Sequence, residues 1–377
     1  MSVQIKTVRT RRELRRFIFF NERLYRGNPY SVPGLYSDEL DCLLPSRNPA
    51  YNFCEAELFL AYKDGKVVGR VAAIINHRTN RDWKEKAVRF GWIDFTDDIE
   101  VSSALIDKVT EWGRERGMTA IHGPLGFVDF DREGMLVDGF DQLATMSTIY
   151  NYPYYPEHMK RLGFEKELGW IEMHIKVPEG APERHTRMCE AVMKRYGLKL
   201  FKSHSIREIR NRYAADVFRV LNEGYKDIHG YSALDDKQIE WYINKYFSIL
   251  DHRMVCVITN GEDRLVGIGI SMPSLSVALQ KGRGRMLPFG WWHLLKALLW
   301  KRSDTLDLLL VAVASEYRNK GVTAIMLSDL VHHYIDMGFK WGETTLELED
   351  NSQVQSMWSM YEHEIHKRHT LFRKEIR

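Results

Sequence analysis

A basic, glycine-containing turn, Ser315-Glu316-Tyr317-Arg318-Asn319-Lys320-Gly321-Val322-Thr323, is the stretch of this 377-residue chain best suited to chemistry. It stands between an apolar, Val-rich run that begins near Leu306 and a segment in which Leu327, Leu330, Val331 and Tyr334 recur at helical spacing. A strand that turns through such a loop into a helix presents several free main-chain N–H groups at a positive dipole end. That is an anion site, most often for phosphate. Downstream, Glu347 and Glu349 alternate with Leu346 and Leu348, so a period of two puts both carboxylates on one face of a strand. Asp307, at the start of the strand before the loop, is a rival carboxylate. Asn351 stands where it would cap a helix over 352–362, which would carry Tyr361.

Metal chemistry is not expected. His363, His366 and His369 have i, i+3 spacing but no Cys or carboxylate partner at ligand spacing. Asp129, Asp131 and Glu133 alternate in a Gly-rich loop but lack the glycine and closing glutamate of a calcium loop. Cys42, Cys54, Cys189 and Cys256 show no Cys-x-x-Cys spacing and read as reduced core residues of a cytoplasmic protein.

The elements that must position these residues occur twice in the same order. In the first half, Thr10 and Glu13 open a helix over 10–25 as a capping box. Glu57–Tyr62 and Val67–Ile75 flank Asp64-Gly65 as a hairpin. A strand at Phe90–Phe95 leads to a helix capped by Ser102 or Ser103, then a strand at Thr119–Gly123. Phe164–Ile175 reads as two strands around Leu168-Gly169. In the second half a hairpin at 254–270, the strand, loop and helix around Gly321, and the strand 341–349 repeat that order. Val177-Pro178-Glu179-Gly180-Ala181-Pro182 is the clearest linker, giving an N-terminal domain over 1–177 and a C-terminal domain over 183–377.

Composition narrows the field further. A length of 377 residues with 44% apolar content suits two packed domains. A net charge of +3, from 54 basic and 51 acidic residues, argues against a nucleic-acid partner. No secretory signal and no run long enough to span a membrane is visible.

The run Val-Ala-Val-Ala-Ser-Glu-Tyr-Arg-Asn-Lys-Gly-Val-Thr-Ala over 311–324 resembles the coenzyme A loop of the GNAT superfamily of acyl-CoA N-acyltransferases, Arg/Gln-x-x-Gly-x-Gly/Ala after the fourth strand. Arg318 and Gly321 hold its first and fourth positions; the sixth is Thr323, with Ala324 one place late. The resemblance implies an α+β fold of two tandem GNAT-like domains, each a mixed, mostly antiparallel central sheet flanked by helices. It implies a transferase of bacterial type that uses acetyl-CoA or a longer acyl-CoA as co-substrate and an amine as acceptor. The pantetheine arm would lie along Val311, Ala312 and Val313, with the Val313 N–H as oxyanion donor. Main-chain amides of Arg318, Asn319, Lys320, Gly321, Val322 and Thr323 would take the diphosphate, and Asn351 would bond the cofactor arm or simply cap its helix. An alkyl amine of pKa ~10 is charged at pH 7, and deprotonating it costs about 4 kcal/mol. Glu347 is the leading base, with Glu349 and Asp307 as alternatives, and Tyr361 falls where the family places the acid that protonates the thiolate.

The first half has Thr96-Asp97-Asp98-Ile99-Glu100 in place of the basic loop, and three carboxylates would repel a diphosphate. The first domain is therefore expected to be degenerate for coenzyme A. Asn151–Pro156, Leu162-Gly163-Phe164 and Leu287–Trp291 are similar to segments of a bacterial group of tandem GNAT proteins that includes ceramide-synthase-like acyltransferases. Pro288–Trp300 reads as a Trp-rich amphipathic helix with basic flanks. It suits peripheral contact with the inner face of a membrane, packing between domains, or a homodimer. The expected function is N-acyl transfer to a primary amine, a lipid or sphingoid amine among the candidates. The alternative is a non-catalytic acyl-CoA sensor or membrane-surface adaptor.

Overall fold

The computed structural model describes residues 2–180, 183–226, 228, 230–300 and 303–376. Ala181 and Pro182 of the expected linker, and Lys301 and Arg302 of the basic flank, lie outside them. The first elements are β1 (Gln4–Thr7), α1 (Arg11–Leu24), α2 (Tyr36–Leu43), β2 (Cys54–Lys63), β3 (Lys66–Asn76), α3 (His77–Asp82), β4 (Ala87–Phe95) and α4 (Ile99–Arg114). There follow β5 (Ala120–Gly123), β6 (Met135–Asp138), α5 (Tyr154–Arg161), β7 (Glu165–Lys176), α6 (Glu183–Tyr196), β8 (Lys199–Phe201), α7 (Ile206–Tyr225) and α8 (Asp236–Tyr246). The rest are β9 (Val255–Thr259), β10 (Leu265–Pro273), α9 (Ser276–Gly282), α10 (Gly290–Leu299), β11 (Thr305–Val313), α11 (Val322–Asp336), β12 (Trp341–Thr344), β13 (Glu347–Leu348), α12 (Ser352–Gln355) and β14 (His363–Glu375).

Two compact units result. The first comprises Met1–Ile171, Leu275–Trp300 and His366–Arg377; the second comprises Glu172–Ser274 and Lys301–Ile365. Where the sequence suggests a single cut near 177–183, the units exchange segments. In the first, the strand order is β1-β2-β3-β4-β5-β14, antiparallel throughout except for the parallel pair β4/β5. In the second, β8-β9-β10-β11-β12-β7 repeats the pattern with β11/β12 parallel. The strand beside the fifth of each set thus comes from the far end of the other half of the sequence.

Local chemistry accounts for the main elements. Thr10 and Glu13 close the expected capping box on α1, with Thr10 Oγ1 accepting from the Glu13 N–H at 3.2 Å and Glu13 Oε2 accepting from the Thr10 N–H at 2.9 Å. Asp64 and Gly65 turn the β2–β3 hairpin with φ of 53° and 74°. Helix α4 starts a turn earlier than the sequence suggests. Asp98 caps it, while Ser102 is buried inside the first turns and bonds the Ile99 carbonyl at 3.2 Å. β7 is one continuous strand rather than two, since Gly169 stays extended. The segment after Asn351 is helical only through Gln355 and then a 3-10 turn to Trp358, so Tyr361 lies beyond the expected helix. His363, His366 and His369 sit on β14, where i, i+3 residues point to opposite faces and cannot share an ion.

In the second unit, Leu306, Val322, Ile325, Met326, Leu330 and Tyr334 belong to one core cluster with Met254, Cys256 and Ile258. Helix α11 lies unusually close to β10 because two of its contacts are glycines. A Cβ at Gly267 would meet Val322 Cγ1 at 2.8 Å, and one at Gly269 would meet Met326 Sδ at 2.6 Å. This fixes the start of α11 against the end of β11, where the candidate site begins.

Candidate functional site

β11 pairs with β12 only as far as Leu308 opposite Thr344, whereas its pairing with β10 continues to Val313 opposite Gly267. A bulge makes the change: Ile270 faces Leu310 and Ser271 faces Leu308, so Leu309 is an extra residue that bends the strand. Beyond it, no other described strand pairs with that edge of β11. The Ala314 N–H donates to the Val266 carbonyl at 2.8 Å, which makes Val313/Gly267 a non-hydrogen-bonded pair. The main-chain N–H and C=O of Val313, and by alternation of Val311, therefore point away from β10 into the open edge. Those of Ala312 point at Ile268 and are used in the ladder.

The loop that follows ends in Gly321, which caps α11 from the left-handed region at φ 78°. No side chain among the described residues caps this helix, so the amides of Val322, Thr323 and Ala324 keep the free donors of a first turn. The amides of Arg318 and Lys320 are engaged at 3.3 Å with the Ser315 and Tyr317 carbonyls. Arg318 Nη2 donates to the Gly224 carbonyl at 2.7 Å, at the negative end of α7. Lys320 Nζ lies 5.0 Å and 5.3 Å from the rings of Tyr317 and Tyr196. Asn319 adopts φ 60°. The cations thus brace the loop and leave a positive, exposed turn in front of the free amides.

The first unit makes the same frame and closes it. Phe95 stands opposite Gly69 as Val313 stands opposite Gly267, and the Thr96 N–H donates to the Val68 carbonyl at 3.0 Å. Its outward N–H donates to the Tyr155 hydroxyl at 3.0 Å and its carbonyl accepts from the Tyr154 hydroxyl at 2.6 Å. The Tyr155 ring stacks on Phe95 at 4.1 Å. At the start of α4, Asp98 caps the Glu100 N–H at 3.0 Å, and Lys63 binds Asp98 at 2.6 Å and Glu100 at 2.9 Å. Aromatic side chains and carboxylates occupy the positions that stay open in the second unit.

Of the expected catalytic groups, Glu347 has the most distinctive surroundings. Its Oε1 accepts from Trp358 Nε1 at 2.9 Å, while its Oε2 is buried without a hydrogen-bond partner among the described residues. Burial raises its carboxyl from 4.5 to about 7, against the lowering effects of the Trp358 bond and His363. Tyr225, at the end of α7, is pushed to about 12 by burial and then by the Glu347 charge, which puts the end of α7 near this carboxyl. Glu349, expected on the same face, is exposed instead, because β13 ends at Leu348. Tyr361 packs against the core cluster, and burial raises its hydroxyl to about 12, so it stays protonated at neutral pH. Asn351 spends its side-chain oxygen on the Val354 N–H at 3.2 Å, the capping option of the two open to it.

Sequence reading named Asp307 but missed the two carboxylates that the sheet sets beside it, Glu343 and Glu172. Asp307 pairs in register with Glu343, and Glu343 with His174, so all three side chains share a face of the sheet, with Glu172 two residues before His174 on the same face. Leu306 and Leu308 pack with the α11 cluster, so Asp307 between them faces the opposite side. α7 packs against β10 and β11 and contributes nothing to that cluster. Asp307, Glu343 and Glu172 are buried, one residue before the point at which β11 and β12 part. Their only sequence signal is a charge inside an otherwise apolar strand. In the first unit, Glu85, His122 and Glu167 converge within 4.8 Å, but Arg373 bonds both carboxylates, at 3.5 Å and 3.0 Å, as an ion-pair network.

Two units that each run four antiparallel strands, a crossover helix and a parallel fifth strand, with a bulged and splayed fourth strand, have the fold of tandem GNAT proteins. A tandem GNAT protein from the clavulanic acid biosynthesis pathway superposes with a TM-score of 0.56 at 11% identity, covering 100% of this chain and 99% of that one. In sequence, the chain is 26% identical over 317 residues to the bacterial ceramide synthase of Caulobacter vibrioides, covering 82% of this chain and 80% of that protein. It is 23% identical over 380 residues to protein YghO of Escherichia coli K12, covering 99% and 95% of the two. No protein-family model matches the chain.

Proposed function

We propose that the chain is an acyl-CoA-dependent N-acyltransferase whose working site is the splayed edge of β11 in the second unit. The observation that carries the reading is the outward main-chain edge of Val313, open where its counterpart Phe95 is filled by two tyrosine hydroxyls. The amides of Val322, Thr323 and Ala324 bind the diphosphate of the donor, and the pantetheine arm runs along Val311 and Val313 as an added strand. The Val313 N–H stabilises the charge that develops on the thioester oxygen. Glu347 takes a proton from the acceptor ammonium, for which a value near neutrality is well matched. The amine nitrogen then bonds the carbonyl carbon as the carbon–sulfur bond breaks; Tyr361 protonates the departing thiolate and regains a proton from the one the new amide nitrogen sheds. The products are an amide and the free thiol.

The acceptor on this reading is a primary amine that arrives as a cation. Asp307 and Glu343, buried just before the splay, are the acidic side chains such an amine would meet as hydrogen-bond acceptors. The likeness to a bacterial ceramide synthase favours a long-chain sphingoid amine with a fatty acyl donor over a small polar amine. An enzyme with such an acceptor works in the cytoplasm at the inner face of the membrane.

Thiol release from acetyl-CoA and palmitoyl-CoA, each with sphinganine or a polyamine, tests the proposal. Turnover with palmitoyl-CoA and sphinganine is the expected result. Donor binding without turnover across the panel would instead make the chain an acyl-CoA sensor. Arg318→Glu, which releases the brace to α7 and places a negative charge at the phosphate turn, should abolish the rise in thermal midpoint that coenzyme A gives the wild type. An unchanged rise refutes the site.

A further inference from the structure

The segment Leu275–Trp300 belongs to the first unit although it lies late in the sequence. Its base is firmly built in. Gln280 Nε2 donates to the Pro29 and Ser31 carbonyls at 2.8 Å and 3.0 Å, and the Tyr36 N–H donates to the Gly284 carbonyl at 2.7 Å. Arg285 lies 4.4 Å from the centroid of the Phe19 ring, which stacks on Tyr36 at 4.9 Å. α9 and α10 pack on each other where Gly282 meets Gly290.

The tip is a different surface. Leu287 is 75% exposed, Phe289 70% and Trp300 65%, and Trp291, Trp292 and Leu299 are also exposed. Trp292 touches both Trp291 and Trp300, with ring centroids 5.8 Å and 5.5 Å apart, so the indoles form one patch. Four cations, Lys281, Arg283, Arg285 and Lys296, are exposed on the same segment, and no acidic residue occurs between Asp263 and Asp304. Arg15 of α1 adds a fifth, 5.7 Å from the Phe19 ring that Arg285 also covers.

We infer that this tip docks the protein on an anionic phospholipid surface. Indole and leucine side chains ringed by arginine and lysine enter the headgroup boundary, where the rings bury their apolar bodies and the cations meet lipid phosphates. No helix among the described residues is long and apolar enough to cross a membrane, so the contact is interfacial. A second copy of the chain is a poorer occupant. A two-fold contact sets a patch against itself, and this one would bring an all-basic rim onto its own image. Nor does the inference need a lipid acceptor: it rests on the residues of the first unit alone, and acyl transfer from the second unit can succeed or fail without it.

Co-sedimentation of the full chain with vesicles tests this. Binding to vesicles containing phosphatidylglycerol should exceed binding to pure phosphatidylcholine by at least tenfold and weaken with added salt. Leu287→Glu with Phe289→Glu should cut binding to both at least tenfold, with the thermal midpoint unchanged because neither side chain is buried. Arg283→Glu with Lys296→Glu should erase the preference for the anionic lipid. A wild-type protein that stays in the supernatant overturns the inference. So does a Leu287/Phe289 variant that binds vesicles normally while shifting from dimer to monomer in sedimentation velocity, which would assign the tip to a second copy. Thiol release on a water-soluble acceptor, unaffected in both variants, keeps a failed docking surface distinct from a failed enzyme.

Discussion

Glu347→Gln separates the two consequences of burying one carboxyl. In the folded protein Glu347 titrates near 7 rather than 4.5. The folded state therefore holds that proton more tightly than the unfolded chain does. The stabilisation this brings is complete below about 4.5, is lost as pH climbs to about 7, and stays lost above it. The difference corresponds to about 3 kcal/mol, an upper value because the residue is only part-buried. Glutamine keeps the shape and can still accept from Trp358 Nε1, but never carries the charge. In urea unfolding, variant and wild type should match at about pH 4, and the variant should be more stable at pH 8 by roughly 1–3 kcal/mol. The same variant should lose on the order of 10²–10⁴ in kcat, together with the rise in rate centred near pH 7. A stability gap that is equal at both pH values would refute the environment assigned to the carboxyl. A variant that turns over normally would refute its role as base.

Val313→Pro removes an N–H that serves no ladder bond to β10, so circular dichroism should be unchanged while single-turnover kcat falls on the order of 10²–10³-fold. Retained kcat would exclude Val313 as the oxyanion donor. Gly269→Val sets a side chain 2.6 Å from Met326 Sδ and should destabilise by about 1–3 kcal/mol in denaturant titration; a neutral result would mean that α11 can move off β10. Arg70→Met leaves Asp94 buried without its 2.7 Å partner and should cost about 3–5 kcal/mol, with a loss below about 1 kcal/mol arguing against the pair.

Much of the frame was legible because it is written locally. The Thr10–Glu13 capping box, the Asp64-Gly65 turn and the passage from Val313 through Gly321 into α11 each follow from residues within one or two turns of one another. The α+β tandem GNAT architecture was implied by the resemblance of 311–324 to the coenzyme A loop of that superfamily, together with the repeated order of elements. What stayed hidden is long-range. Nothing near Tyr154 or Tyr155 announces that their hydroxyls meet the backbone of Phe95, some sixty residues earlier. The cap of α4 was misplaced because serine is as good a cap as aspartate, and only the burial of Ser102 decides between them. Glu172 and Glu343 sit in apolar strands, where a single charge is easily passed over until register sets it beside Asp307.

The placement of β14 bears on how such a molecule comes into being. Phe372–Glu375 lie against Ala120–Gly123, so the first unit takes the antiparallel neighbour of β5 from residues about 250 positions further along the chain. A ribosome emitting the first 171 residues has delivered most of that unit's helices and hairpins, yet the margin of β5 stays bare until two hundred further residues have emerged. Cutting the gene at the apparent linker would leave one fragment with a ragged sheet edge prone to self-association, and the other with a strand that has lost its home. Co-expressed from separate messages, the two fragments should find each other, and neither should stay soluble alone.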